Sequence, residues 1–156
     1  MPKEIERKFL IKSDFKKFAT NKLKIVQAYL SNDPERIVRV RLVNEKAFLT
    51  IKGKSNESGL TRFEFEKVIS VEEAMSLIKL RVGEIIEKTR YIIPAGNGLF
   101  FEVDEFHGAN KGLQLAEIEL PEEDSLFNMP GWLGKEVTGD EKYYNSFLSK
   151  NAYSNW

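Results

Sequence analysis

The sequence predicts an α+β fold: a closed, eight-stranded antiparallel β-barrel with a few covering helices. Three observations lead there. Most of the chain alternates apolar and polar residues with period 2, in eight runs rich in Ile, Val, Phe, Thr and Tyr. Turn signals separate these runs, and only three segments carry helical spacing instead. In seven of the runs the charges share one face and apolar residues hold the other. Eight strands can close a barrel whose interior takes one of those two faces.

The first run, Lys3–Ile11, sets Glu4, Glu6 and Lys8 on one face and Arg7 on the other, where it reads as structural. Ser13–Thr20 follows as a short helix with Ser13 or Asp14 at its N-cap. Strands are predicted over Lys24–Ser31 and Arg36–Val43, the second with Arg39 and Arg41 on one face. Asn44 and Glu45 turn the chain into Lys46–Gly53, where Lys52 shares a face with Lys54 at the border of a longer loop, Gly53–Gly59. Thr61–Ile69 alternates Arg62, Glu64 and Glu66 with Phe63 and Phe65.

Ser70 then caps a helix over Val71–Arg81, with Glu73 completing a capping box and Gly83 as its C-cap. Val71, Ala74, Leu77 and Ile78 share its apolar face. The strand Glu84–Pro94 pairs Lys88 with Arg90, and Gly96-Asn97-Gly98 is a hairpin turn. Leu99–Phe106 carries Glu102 and Asp104 with Phe106 on the same face, and Gly112–Leu120 carries Glu117 and Glu119. A last helix, Asp140–Ser149, spaces Tyr143, Tyr144, Phe147 and Leu148 as a packing stripe. Tyr29 and Tyr144 could border the barrel interior, although packing is the favoured reading for both, and Trp132 reads as core.

Composition narrows the chemistry. The 156 residues suit one domain spanning 1–156, and the formal net charge of zero argues against a nucleic-acid or membrane-surface binder. There is no cysteine, so disulfides and thiolate chemistry are excluded. The single histidine, His107, falls in a Gly-flanked stretch and reads as a surface loop residue. No apolar run is long enough to span a bilayer and no signal peptide precedes Glu4, which makes the cytoplasm the expected location.

An amphipathic sheet with a solvated face would also alternate. The charges here, however, come as like-sign pairs two residues apart: Glu–Glu, Arg–Arg, Lys–Lys, Glu–Asp. Such neighbours repel, and an open surface has no need to gather them. A divalent-metal site needs clustered carboxylates, and a polyphosphate needs clustered cations. Turned inward, the charged face makes a polar tunnel. Burying so many like charges without a ligand would be heavily penalised by desolvation. The apolar face must then be covered from outside, and with only three helices a homodimer is expected to help.

Glu4-Ile5-Glu6-Arg7-Lys8 matches the ExExK signature of the CYTH superfamily, the triphosphate tunnel metalloenzymes. Arg39-x-Arg41, Lys52-x-Lys54, Arg62-x-Glu64-x-Glu66, Lys88-x-Arg90, Glu102-x-Asp104 and Glu117-x-Glu119 follow in the family's order. The tail from Trp132 to Asn145 is similar to that of the small bacterial members, and the resemblance spans essentially the whole chain. It implies an eight-stranded barrel and a divalent cofactor, Mg²⁺ or Mn²⁺, with two ions per site. Glu4, Glu6, Glu117 and Glu119 would hold one ion, and Glu64, Glu66, Glu102 and Asp104 would serve a second. Lys8, Arg39, Arg41, Lys52, Lys54, Arg62, Lys88, Arg90 and Lys135 would grip phosphate oxygens, although Arg62 also suits buttressing the carboxylates. Glu4, Glu6, Lys8, Glu66, Asp104 and Glu119 form the implied catalytic set.

The expected reaction is hydrolysis of a triphosphate, foremost inorganic tripolyphosphate to pyrophosphate and phosphate. The family resemblance also admits a class IV adenylate cyclase, a thiamine triphosphatase and a non-catalytic nucleotide- or polyphosphate-binding module. Cyclase members often carry a His-Phe pair ahead of ExExK, whereas only Met1, Pro2 and Lys3 stand there in this chain.

Overall fold

The computed structural model describes residues 3–156. Nine strands build one antiparallel sheet: β1 (Lys3–Ile11), β2 (Asn21–Asp33), β3 (Arg36–Val43), β4 (Lys46–Ser55), β5 (Thr61–Ile69), β6 (Val82–Gly96), β7 (Leu99–Phe106), β8 (Gln114–Glu119) and β9 (Leu133–Glu136). There are two α-helices, α1 (Val71–Ile78) and α2 (Asn145–Leu148). The strands run β5-β4-β3-β2-β6-β7-β8-β1, and β1 pairs back onto β5, so the expected eight-stranded barrel closes. The closing pairs include Glu4 opposite Arg62 and Ile5 opposite Thr61.

The ninth strand was not foreseen. Beyond Ile5, the edge of β1 that faced β5 is taken over by β9, with Phe9 opposite Glu136 and Ile11 opposite Leu133. Four residues are too few to show a period, so β9 is set by its partner rather than by its own pattern. It is pinned from both sides. Arg7 donates to both oxygens of Glu136, at 2.8 and 2.6 Å, and the Lys8 amide donates to Thr138 Oγ1 at 2.9 Å.

Three apolar clusters hold the barrel. Outside β1, β6, β7 and β8, Phe9, Tyr91, Phe101, Val103, Ala116 and Ile118 pack under Phe15 and Trp132. Helix α1 lays Ala74 and Ile78 on Ala28, Val40 and Ala47 of the opposite wall. The third cluster lies inside. Leu10, Ile86, Phe106 and Leu115 have the inward parity of Lys8, Lys88, Asp104 and Glu117, and they pack with Leu148 and Tyr143 of the C-terminal tail. The charged interior therefore ends on an apolar floor that the tail seals.

The helices depart most from expectation. In the predicted Ser13–Thr20 helix only Lys16–Phe18 makes a 3-10 turn. Asp14 accepts from the Lys16 amide in a local turn, and Phe15 is drawn into the core against Tyr91 and Trp132. The capping box of Ser70 and Glu73 forms as expected, but α1 stops at Ile78. Gly83 is not its cap. It lies inside β6 at φ +72, where a side chain would strike the Ser149 carbonyl. The predicted Asp140–Ser149 helix splits at the extended Tyr144 into a 3-10 turn over Glu141–Tyr143 and the short α2. There the Tyr143 carbonyl accepts from Lys8 Nζ at 3.1 Å instead of serving a helix.

Candidate active site

Inward-facing side chains from all eight strands of the ring meet in a cavity of about 220 Å³. Its charge is divided. Along the consecutive strands β4, β3, β2 and β6 every lining charge is a cation, Lys52 on β4, Arg39 and Arg41 on β3, and Lys88 and Arg90 on β6, while β2 presents the neutral Tyr29. The consecutive strands β7, β8, β1 and β5 present Glu102, Glu117, Glu119, Glu4, Glu6, Glu64 and Glu66, with Lys8 and Arg62 among them.

Ion pairs stitch the two walls together. Lys52 Nζ reaches both oxygens of Glu4, at 3.0 and 3.1 Å, and Glu64 at 3.5 Å. Arg41 Nη2 lies 3.5 Å from Glu66, whose other donor is Thr50 Oγ1 at 3.0 Å. Arg90 grips Asp104 through two nitrogens, at 2.7 and 2.9 Å, and Glu102 at 3.2 Å. Lys88 Nζ sits 2.8 Å from Asp104, and Lys8 Nζ 3.5 Å from Glu117.

Burial and crowding set the protonation states. Burial drives Glu6 well above the usual carboxylate range, and the neighbouring Glu117 and Glu4 add to it. Burial alone would also raise Glu117, but Lys8, a hydrogen bond from Glu6, Arg90 and Lys88 hold it well below that range. The two neighbours are thus pushed in opposite directions, Glu6 the weaker acid and Glu117 the stronger. Glu119 is raised by burial and by Glu4 and Glu102. Burial draws Arg41 down to about 10, helped by the like charges of Arg39 and Arg90. Among the described residues the Nε atoms of Arg39 and Arg41 find no acceptor. The basic wall is therefore short of counter-charge, which is the condition in which it takes up an anion.

Known proteins share this architecture. The CYTH domain profile matches residues 2–150. The chain belongs to the CYTH family. Over 157 residues it is 45% identical to an inorganic triphosphatase of Acetivibrio thermocellus, covering 100% of this chain and 99% of that protein. It is 37% identical over 149 residues to an inorganic triphosphatase of Nitrosomonas europaea, covering 94% and 96%. A solved inorganic triphosphatase structure superposes with a TM-score of 0.66 at 34% identity, covering 93% of this chain and 96% of that one.

Most side chains singled out from the sequence line this CYTH cavity, but three do not. Lys54 follows an irregularity in the β4–β5 ladder: Lys52 pairs with Glu64 but Ser55 pairs with Arg62, so β4 carries one extra residue. This bulge turns Lys54 outward to Glu35 at 3.7 Å. Lys135 is exposed on β9, the strand outside the ring. Asp104 is buried behind the basic wall, where Arg90 and Lys88 occupy both its oxygens. Arg62 does line the cavity, but its guanidinium braces the bulge by donating twice to the Gly53 carbonyl, at 3.1 and 2.9 Å.

Other lining residues escaped the pattern of charges. Tyr29 borders the cavity, and so do Tyr144, Asn145 and Ser146 from the tail. Tyr29 stands on β2, the one cavity strand without inward charge. Its parity with Gln27 was the available signal, but no charge marked that face. In the tail Tyr144 was a candidate by its aromatic ring alone, whereas Asn145 and Ser146 gave no signal, since they enter the barrel through an irregular segment.

Among the described residues no three carboxylate or imidazole side chains already converge as a bound ion requires. Lys52 stands between Glu4 and Glu64, and Lys8 beside Glu117. The chemistry nonetheless fits. A buried carboxylate pair, Glu6 and Glu117, crowded by Glu4 and with Glu119 adjoining, suits a hard divalent cation. CYTH triphosphatases are metal-dependent as a family.

Proposed function

We propose that this chain is a divalent-metal-dependent hydrolase that cleaves inorganic tripolyphosphate to pyrophosphate and phosphate inside the barrel. The observation that carries the reading is the division of the cavity into a wall whose charges are all cationic and a facing wall that holds every lining carboxylate. Cavity size supports an inorganic substrate. At about 220 Å³ it falls below the ~300–1,000 Å³ typical of pockets for drug-sized molecules. The two curated relatives named inorganic triphosphatase support the same choice.

In this reading Arg39, Arg41, Lys52, Lys88 and Arg90 grip the phosphate oxygens, with Lys8 and Arg62 completing the cradle. Their charge stabilises the transferring phosphoryl as its bridging bond to the pyrophosphate group breaks. Asp104 holds the Arg90 fork and the Lys88 ammonium in place. The apolar floor closes the inner end to water. Glu4, Glu6, Glu117 and Glu119 would hold a Mg²⁺ or Mn²⁺ ion, with Glu64, Glu66 and Glu102 facing a second; such ions supply bridging of phosphate oxygens and activation of the attacking water. Lys54 and Lys135 have no part in this cradle.

The whole chain acts here as one unit. Ile51 and Phe65 form an exposed apolar pair on the outer face of β4 and β5, which suits a covering second copy of the chain. No helix among the described residues is long and apolar enough to cross a membrane, which accords with a cytoplasmic enzyme. Light scattering on a sizing column tests the dimer.

The test of function is phosphate release from tripolyphosphate, ATP and thiamine triphosphate, each with Mg²⁺, Mn²⁺ or EDTA, with cyclic AMP measured on the ATP samples. Fast, metal-dependent release from tripolyphosphate alone is expected. Cyclic AMP and pyrophosphate from ATP would make the protein a cyclase instead.

A further inference from the structure

Two lysines stand deepest in the cavity, Lys8 and Lys88, and both are tied to the C-terminal tail. Lys8 Nζ donates to the Tyr143 carbonyl at 3.1 Å, and Lys88 Nζ donates to Asn145 Oδ1 at 2.8 Å. The same Asn145 oxygen accepts from Gln27 Nε2 at 2.9 Å. Lys88 Nζ and Gln27 Nε2 converge on this one atom as donors, which marks it as the oxygen of the Asn145 carboxamide. Both of its ordinary acceptor positions are then filled by neighbours in the wall. Its nitrogen carries two N–H donors that meet no acceptor among the described residues, and Asn145 lines the cavity. The Nδ2 atom is not sealed in the protein either, since it is not among the buried polar atoms that lack a partner.

We infer that Asn145 is a substrate-binding residue: its carboxamide N–H groups donate to oxygens of the innermost phosphoryl of a bound triphosphate, between Lys8 and Lys88. The inference rests on the triphosphatase reading above and adds to it a neutral donor supplied by the tail rather than by the barrel. A carboxamide suits this place. It neutralises nothing, yet it accepts from Lys88 and donates to an anion at the same time. It also explains the break at Tyr144, whose extended backbone starts α2 with Asn145 turned toward Gln27 and Lys88.

The Asp variant separates a substrate contact from mere support of Lys88. Asn145→Asp keeps the acceptor oxygen for Lys88 and Gln27 but replaces both donors with charge that repels phosphate. Tripolyphosphate binding is measured by calorimetry in Mg²⁺ for wild type, Asn145→Asp and Asn145→Ala, alongside KM and kcat. The inference expects both variants to lose affinity by about 10- to 100-fold, the worth of one lost hydrogen bond to a charged group, with Asp no better than Ala. Wild-type affinity in Asn145→Asp would overturn it and leave Asn145 as a support for Lys88 alone. Should the variants fail to fold, the Asn145 side-chain amide signals of the wild-type protein serve instead. They must shift on tripolyphosphate addition, and unmoved signals would overturn the inference. A wild-type protein that neither binds nor cleaves tripolyphosphate would sink the functional reading itself, an outcome visible before any variant is made.

Discussion

The two walls of the cavity reach opposite charge by different physical routes. The basic wall is simpler: its arginines stay charged because a guanidinium cannot readily shed its proton, burial draws Lys88 down to about 7 against the pull of Asp104, and Asp104, Glu4 and Glu66 anchor four of the groups. The carboxylate wall is frustrated. Burial, with Glu117 beside it, pushes Glu6 well up, burial and Glu64 push Glu4 up, and burial and Glu4 push Glu119 up, whereas Lys8 holds Glu117 well down against its own burial. One wall is ready for an anion as it stands, whereas the other awaits positive charge. The difference suggests that affinity for phosphate resides mainly in the first and turnover in the second.

Substitutions can break that division of labour. The largest effect is expected from Glu4→Gln or Glu119→Gln, where turnover should fall by about 10³-fold or more while circular dichroism and the melting transition stay near wild type. Full activity in either variant would remove the carboxylate wall from the chemistry. Next comes Asp104→Ala, which strands Arg90 and Lys88 without their counter-ion and should cost ~3–5 kcal/mol of stability by urea unfolding. The milder Asp104→Asn sharpens the contrast. Although Asp104 belongs to β7, it serves the basic wall, so the Mg²⁺ concentration for half-maximal activity should not move. A tenfold shift would return Asp104 to the metal ligands.

Arg39→Ala should raise KM for tripolyphosphate by roughly 10- to 100-fold with the metal response unchanged. An equal fall in kcat would blur the two walls into one.

The smallest effect lies outside the cavity. Arg7 holds the Glu136 carboxyl below its ordinary 4.5 by hydrogen bonding. A carboxylate depressed in the folded state contributes stability above its unfolded value and loses it as pH falls through the folded value. Glu136→Gln should therefore cost ~0.5 kcal/mol at pH 7, since the pair is partly exposed, and the gap to wild type should shrink below pH 4.5. A gap that persisted in acid would point to the Thr138 hydrogen bond instead.

The barrel was legible because strands obey parity. Glu4, Glu6 and Lys8 share a face at any register, and like-sign pairs marked that face as one that gathers ligands. Four strands, β1, β3, β5 and β7, have the bounds the pattern predicted. Parity failed where the backbone broke it: the extra residue in β4 flipped Lys54, and no local rule announces a bulge. Asp104 failed differently. Its face was read correctly, but its depth was not, because parity says nothing of which inward side chain is covered by its neighbours. Tail residues such as Asn145 were illegible for a third reason, since their place depends on the assembled barrel and not on their own sequence.

That dependence extends to the order in which the protein is made. Strand β1 leaves the ribosome first, yet its partners β8 and β9 come last, and the Arg7–Glu136 contact spans 129 positions. Until then β1 has β5 alone to pair with, through Lys3–Ile5, and the rest of both its edges stays open. Closure must wait for nearly the whole chain, which predicts slow, late-cooperative folding and a nascent chain open to edge-to-edge association. The charges on β1 guard this interval: a strand bearing Glu4, Glu6, Arg7 and Lys8 is a poor template for aggregation, so the residues assigned to the chemistry also protect the chain before there is any chemistry to do.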